Sequence, residues 1–369
     1  MHADGLRVLV VGAGIAGLAA ARSLHEWGAE VAVLERQPAA LREGTGIFLL
    51  GNAVRALDAL GYGDDAAARA VHIRRQQTFN RRGRRLFEVD ADRLWDGVAS
   101  CLALHRADLH QVLLNGVDAI PVRWGLGPQA VSPDDGGASV TIDGVPEHYD
   151  LVIGADGVHS TVRRLLFGSD AVRLVGQYSR RFIVPGEVEP ATWTARLGSS
   201  STFLTIPIGG GQVYCYADGP LDDPRPLREL LAEHADPVPA LLDALDTVGG
   251  EKAVHTGAIE EVVLDSWSQG GVLLIGDAAH ATSPNMAQGA AMALEDAIVL
   301  TEALHAATGL VPALTAFERR RRPRTEWVLE QTHRRDRARA RRPALRDLVL
   351  QRFGTRIVRA NYRPLRDRP

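Results

Sequence analysis

Glycines and carboxylates gather at three places in this chain where a phosphate-bearing, hydroxyl-rich ligand would need them. Near the start runs Val11-Gly12-Ala13-Gly14-Ile15-Ala16-Gly17; in the middle, Gly154-Ala155-Asp156-Gly157; later, Gly276-Asp277-Ala278-Ala279-His280, continuing to Pro284 and Gln288-Gly289-Ala290. Glycines at this spacing let backbone N–H groups close on a pyrophosphate. An acid at a strand end accepts hydrogen bonds from sugar or ribityl hydroxyls. Each stretch alone fits many proteins. In this order and at these separations they suggest a flavin dinucleotide lying across one fold, and therefore redox chemistry.

The elements that must position these residues follow from local pattern. The spacing predicts a strand over Leu6–Val11 and a helix over Gly14–Trp27, rich in Ala and Leu. Gly12 permits the tight turn between them, Gly14 the approach of a pyrophosphate, and Gly17 close packing of helix on strand. Gly28 stops the helix, Ala29–Leu34 forms a second strand, and Glu35 stands where an acid would hold ribose hydroxyls. At this first stretch NAD, NADP and FAD all remain open, although Glu35 disfavours a 2′-phosphate. The later stretches discriminate. Tyr149–Ile153 and Gly271–Ile275 are apolar strands that each end in an acidic turn, at Asp156 and Asp277. Ala287–Ala290 then opens a helix, Gly289–Ala307, whose first amides suit negative charge on a reduced flavin ring. A nicotinamide dehydrogenase has no use for that third site.

Between these stretches the chain alternates. A helix is expected over Asn52–Leu60, a strand–turn–strand over Thr78–Glu88, a helix over Ala107–Leu114 and a strand over Val140–Ile142. Residues 172–217 read as an antiparallel sheet and Pro224–Asp246 as a helix. The expectation is an α/β protein with a discontinuous Rossmann-like nucleotide domain (1–76, 100–170 and 265–318). An antiparallel β-sheet substrate domain (77–99 and 171–264) is inserted, and a basic C-terminal helical segment (319–369) follows.

Composition bounds the rest. The 369 residues are 46% apolar, enough for a normal core, with a net charge of −3. No apolar run reaches membrane-spanning length without glycine punctuation, and the N-terminal apolar stretch reads as a nucleotide loop rather than a secretory signal. Cys101 and Cys215 have no metal-like spacing, so no metal site or disulfide framework is expected and a reducing cytoplasm fits. Residues 319–369 hold 18 arginines against 5 acidic residues, and Lys252 is the only lysine. Without interleaved aromatics or a nucleic-acid motif, these arginines are expected to pair with an acidic body rather than to bind nucleic acid or a membrane.

The chain resembles the class A flavoprotein monooxygenases, the family of para-hydroxybenzoate and salicylate hydroxylases. The resemblance rests on Gly12-Ala13-Gly14-Ile15-Ala16-Gly17 with Glu35-Arg36, His105-Arg106-Ala107-Asp108-Leu109, and Gly154-Ala155-Asp156-Gly157 with Arg163. It extends through Gly276-Asp277-Ala278-Ala279-His280 with Pro284, Gln288-Gly289 and Glu295-Asp296-Ala297. It covers residues 6 to about 330. It implies one FAD per chain, a two-domain hydroxylase fold with a long C-terminal helix, and NAD(P)H as electron donor. A flavin hydroperoxide formed with dioxygen would then hydroxylate an aromatic or polycyclic small molecule. It also implies Arg106 near the FAD pyrophosphate, Asp277 on the ribityl chain, and a shared FAD and NAD(P)H role for Asp156 and Gly157. In departure from the pattern, Ala287 occupies a position that is often glycine, and Gly51 one that is often proline.

Substrate contacts are expected from Tyr214 and Tyr216, two apart and so on one strand face, and from Pro284 and Met286 beside the flavin loop. Their job would be to position the ring, and a tyrosine, histidine or arginine in the pocket would help remove a phenolic proton. His280, directly after a strand-end turn, reads as a structural residue. Arg42, ahead of Gly44-Thr45-Gly46, has two readings: cover over the pyrophosphate together with Gly46, or a solvated loop charge. A flavin oxidase or reductase would share every FAD residue, and a nucleic-acid-associated redox protein is the reading from a different class. The working form is expected to be a monomer or homodimer.

Overall fold

The computed structural model describes residues 5–40, 45–134, 136–168, 171–339 and 341–369. Arg42 and Gly44 lie outside these residues. Among the described residues, the first domain centres on a six-stranded sheet in the order Ser268–Gln269, Val272–Leu274, Leu151–Gly154, Arg7–Val11, Glu30–Glu35, Val122–Trp124. All neighbours run parallel except the edge strand Ser268–Gln269. Parallel strands buried on both faces read as continuous apolar runs, and Val8, Leu9, Val10, Leu151, Val152, Ile153, Val272, Leu273 and Leu274 are fully buried. Their register sets the ends of Arg7–Val11, Leu151–Gly154 and Val272–Leu274 at one edge, which is how three stretches distant in sequence become neighbours. Ligands bind at that carboxyl edge in open α/β sheets.

The second domain is a seven-stranded sheet ordered His255–Val262, Val172–Pro185, Gln212–Pro220, Thr202–Gly209, Thr192–Leu197, Arg75–Asn80, Arg85–Asp90. It is antiparallel but for the pairing of Thr192–Leu197 with Arg75–Asn80. Strand alternation gives it two different faces. Phe182, Val184, Phe203, Val213, Cys215 and Ala217 point away from the first domain, onto a separate core with Leu227, Leu231, Val238, Leu241, Leu242 and Leu245. The intervening residues face inward. Two expectations need adjustment. The strand Arg75–Asn80 lies wholly in this sheet, so a division at 76/77 cuts through it. The helix expected over Pro224–Asp246 is two short ones, Leu227–Leu230 and Val238–Thr247, because Pro226 and Pro237 supply no backbone N–H to a continuous helix.

The C-terminal region is not one helix but two. An arginine helix, Leu310–Arg339, starts inside the stretch assigned by sequence to the first domain. A terminal helix, Pro343–Tyr362, follows with proline in its first turn. The terminal helix packs on the seven-stranded sheet so closely that a Cβ on Gly354 would come within 2.3 Å of the Phe87 ring. Thr355 Oγ1 donates to the Glu88 carbonyl at 3.0 Å.

Candidate active site

A cavity of about 670 Å³ runs from the nucleotide loop, between the two sheets, to the terminal helix. At its first end stands the nucleotide helix, Ile15–Trp27, which begins at Gly14 with no side-chain cap. Its first-turn N–H groups are therefore free to meet an anion. Gly14, Ile15 and Ala16 line the cavity, and a Cβ built on Gly14 would meet nothing within 4 Å. Gly12 and Gly17 do not line it. A Cβ on Gly12 would strike the Ala155 carbonyl at 2.4 Å, and one on Gly17 the Gly12 carbonyl at 1.8 Å, so both glycines serve backbone packing. Glu35 holds the loop, accepting from Ala13 N–H at 2.7 Å and Gln37 N–H at 2.8 Å. Arg36 is exposed and outside the lining.

The second and third stretches meet the first here. Gly157, at φ 83°, and Asp277 line the cavity, as do Gly46 and Arg106. Asp156 does not. Its carboxylate accepts from the Ser160 hydroxyl, from Thr161 N–H at 2.6 Å and from Val162 N–H at 3.2 Å, capping the helix Thr161–Leu166. Buried Arg163 ties the two stretches together by donating to the carbonyls of Ala278, at 2.8 Å, and Val158. The helix Gly289–Ala306 also begins without a side-chain cap. Gln288, Gly289 and Ala290 line the cavity beside Asp277, whose Oδ1 would lie 3.9 Å from a Cβ on Gly289. The residues fit an extended dinucleotide: open space at Gly14, an uncapped helix start at each end, and a carboxylate between. Ala287 adopts φ 51°, ψ 39°, the left-handed region where alanine costs about 1–2 kcal/mol, so the loop keeps the backbone shape of the commoner glycine.

Beneath this loop lies a buried charge network whose acids, Glu295 and Asp296, belong to the sequence motif and whose arginine partners do not. Asp296 accepts from Gly276 N–H at 2.8 Å and from Arg321 Nε at 2.7 Å, and lies 2.7 Å from His280 Nε2. Arg321 and Arg324 of the arginine helix both reach Glu295, at 2.9 and 2.7 Å. Burial works to raise the Asp296 carboxyl, but His280 and Arg321 outweigh it and hold it below the ordinary carboxylate range. His280 is thus a brace under the flavin loop. Asn52 completes the support, donating to Gln288 Oε1 at 2.9 Å and accepting from Gln288 Nε2 at 3.2 Å. His110, whose Nε2 lies 2.8 Å from the Ala13 carbonyl, sits one turn after Arg106 on the same helix face. That i, i+4 spacing was the available signal for it.

The other half of the cavity is walled by the inward face of the seven-stranded sheet. Arg181 and Tyr216 are directly paired, as are Tyr214 and Ile206, and Thr78, Trp193, Ala195 and Leu204 complete the wall. Phe48 stacks on Trp193 at 6.4 Å. Tyr214 packs so tightly on Gly46 that a Cβ there would lie 2.4 Å from its ring. Burial raises both tyrosine hydroxyls, Tyr216 strongly, so both stay protonated and can donate a hydrogen bond rather than take a proton. Pro284 lines the cavity. Met286 does not: the short turn Pro284–Met286 turns its side chain fully into the core, and its carbonyl accepts from Tyr362 Oη at 3.2 Å. Arg181 was missed by sequence reasoning. Its Nε is buried without a hydrogen-bond partner among the described residues, and its guanidinium carbon lies 5.9 Å from the Tyr216 ring centre. The signal was parity: with Phe182 and Val184 facing one core, a charged residue at 181 must face the other side.

Comparison with known proteins agrees with this geometry. The family model described as FAD binding domain matches residues 5–332. The 2-heptyl-3-hydroxy-4(1H)-quinolone synthase of Pseudomonas aeruginosa is 33% identical over 343 residues, 89% of this chain and 88% of that protein. The 3-amino-4-hydroxybenzoate 2-monooxygenase of Streptomyces cremeus is 33% identical over 346 residues, covering 88% and 85%. Among solved structures, Klebsiella pneumoniae HpxO complexed with FAD and uric acid superposes with a TM-score of 0.82 at 25% identity, over 98% of this chain and 92% of that one. The tetrameric form of 2-methyl-3-hydroxypyridine-5-carboxylic acid oxygenase gives 0.79 at 27%, over 91% and 92%. The chain belongs to the FAD binding domain family and is a class A FAD-dependent monooxygenase that uses NAD(P)H.

Proposed function

We propose that this enzyme hydroxylates an aromatic small molecule carrying an ionisable ring oxygen and a sizeable apolar part. The observation that carries the reading is Arg181, whose buried Nε has no hydrogen-bond partner among the described residues, on an otherwise mostly apolar wall. FAD, when bound, supplies the redox chemistry, accepting hydride from NAD(P)H and passing one atom of dioxygen to the substrate while the other leaves as water. The chain's own residues hold and activate. Arg181 stabilises the deprotonated ring oxygen, which enriches the ring in electrons, and Tyr214 and Tyr216 donate hydrogen bonds to it. Pro284, Trp193 and Phe48 confine the ring and exclude water. The amides at Gly14–Ala16, with Arg106, are proposed to hold the pyrophosphate. Glu35 would hold the ribose, Asp277 the ribityl chain, and the amides at Gly289 and Ala290 the flavin ring. Relatives acting on a hydroxybenzoate and producing a heptyl hydroxyquinolone support a substrate of this class. A reducing cytoplasm is the compartment we propose, supported by two free, buried cysteines.

The test is Arg181→Met. Loss of a charge-assisted hydrogen bond worth about 1.5–3 kcal/mol should raise KM about 10- to 100-fold, with more NAD(P)H diverted to peroxide and FAD content unchanged. An unaltered KM and unaltered coupling would remove Arg181 from the site.

A further inference from the structure

The arginine-rich C-terminus divides into two parts that behave differently. On the arginine helix most charges are matched: Arg320 meets Glu302, Arg321 and Arg324 meet Glu295, Arg322 meets Glu318, Arg334 meets Glu330 and Arg339 meets Asp218, while Arg319 and Arg337 are exposed with no ion pair among the described residues. The expected pairing with an acidic body describes Arg320, Arg321, Arg324 and Arg339 of that helix. On the terminal helix, Arg342, Arg352, Arg356 and Arg359 are exposed and have no ion-pair partner among the described residues. Between them protrude Leu345, Leu348 and Phe353, at 54%, 63% and 42% exposure. With 3.6 residues per turn, the six within Pro343–Tyr362 fall within one sector of about 140°, and Arg342 is the N-cap residue before them. Arg346, Gly354 and Tyr362, outside that sector, are buried against the body. The helix's one acid, Asp347, is paired with Arg346.

From this arrangement we propose that the terminal helix docks the enzyme on an anionic phospholipid bilayer, lying in the headgroup plane. Unneutralised arginines draw the face to acidic headgroups, and exposed leucines and a phenylalanine enter the acyl boundary, the composition of an interfacial helix. The same helix borders the cavity through Leu345, Val349 and Ile357, so an apolar ligand leaving the bilayer would meet the cavity directly. Two other occupants fit less well. Nucleic acid would satisfy the arginines and leave the leucines against phosphate. A second copy docked by two-fold symmetry would set arginines against arginines. The inference stands apart from the substrate assignment, since docking needs no turnover.

The experiment is co-sedimentation of the FAD-loaded full chain with vesicles of phosphatidylcholine alone or mixed with phosphatidylglycerol. Binding is expected to the mixed vesicles only and to weaken with salt. The triple variant Arg352→Glu/Arg356→Glu/Arg359→Glu should lose about 100-fold in vesicle affinity, and Leu348→Glu should also bind measurably more weakly. Neither set of residues lines the cavity, so FAD content and vesicle-free NAD(P)H oxidation should match the parent, which separates lost docking from lost folding. Failure to bind mixed vesicles at low salt, or undiminished binding by both variants, would overturn the proposal. So would oligonucleotide binding that needs the arginines but not Leu348, or a dimer that Leu348→Glu dissociates.

Discussion

At the scale of single residues, the site divides into groups that would touch the ligands and groups that shape the space. Gly46 belongs to both. It lines the cavity, and its missing side chain is the space that Tyr214 fills, since a Cβ would come within 2.4 Å of that ring. Gly46→Ala should therefore cost about 1–3 kcal/mol through overpacking and displace Tyr214 toward the substrate. A denaturant melt and KM would register both; unchanged values would mean the ring moves aside freely. The cavity-lining positions Gly14, Gly157, Asp277 and Gly289 were legible in sequence because their logic is local. Gly12, Gly14 and Gly17 are dictated by one turn, and Asp277 by the end of one strand. Met286 and Asp156 show the limit of local reading. Which way a three-residue turn points its last side chain, and whether a carboxylate is spent capping the next helix, depends on neighbours that spacing does not reveal.

At the scale of elements, the flavin-side loop is held by a layer that was not legible. Asn52 and Gln288 are 236 residues apart, and Arg321 reaches Asp296 from another helix. No periodicity marks such pairs; each looks like an ordinary polar residue until the helices pack. The match at Glu295-Asp296 carried the acids but not their partners. Arg321 is fully buried between two carboxylates. Removing one member of a buried ion pair leaves an uncompensated charge, at a cost of about 3–5 kcal/mol. Arg321→Met should lower stability by that amount and loosen FAD. Equilibrium unfolding with a flavin-release assay would show it, and a variant of parental stability would mean that the network does not hold the loop. The helices Leu227–Leu230 and Val238–Thr247 and the divided C-terminus have a simpler lesson. Prolines at 226, 237 and 343 open new helices, and apolar periodicity alone runs through such breaks.

At the scale of the whole molecule, function follows from where two sheets face each other. The parallel sheet brings three strand ends to one edge, and the antiparallel sheet turns Arg181, Tyr214 and Tyr216 toward them. The terminal helix closes the far end through Gly354, on Phe87. Order and class of these layers were readable from alternating apolar segments; the cavity between them was not, because its walls come from the seven strands of one sheet and from Gly46–Leu49 of another, far apart in sequence. The central claim is that this cavity holds FAD and an aromatic substrate so that oxygen passes from dioxygen to the ring. The most direct measurement is turnover of the FAD-loaded enzyme with a panel of phenols and hydroxyquinolines under 18O2, following NAD(P)H, peroxide and label together. The expected result is a substrate that speeds NAD(P)H oxidation and emerges carrying one 18O atom. Substrate-independent NAD(P)H oxidation that ends wholly in peroxide, with no labelled product from any aromatic tested, would contradict it.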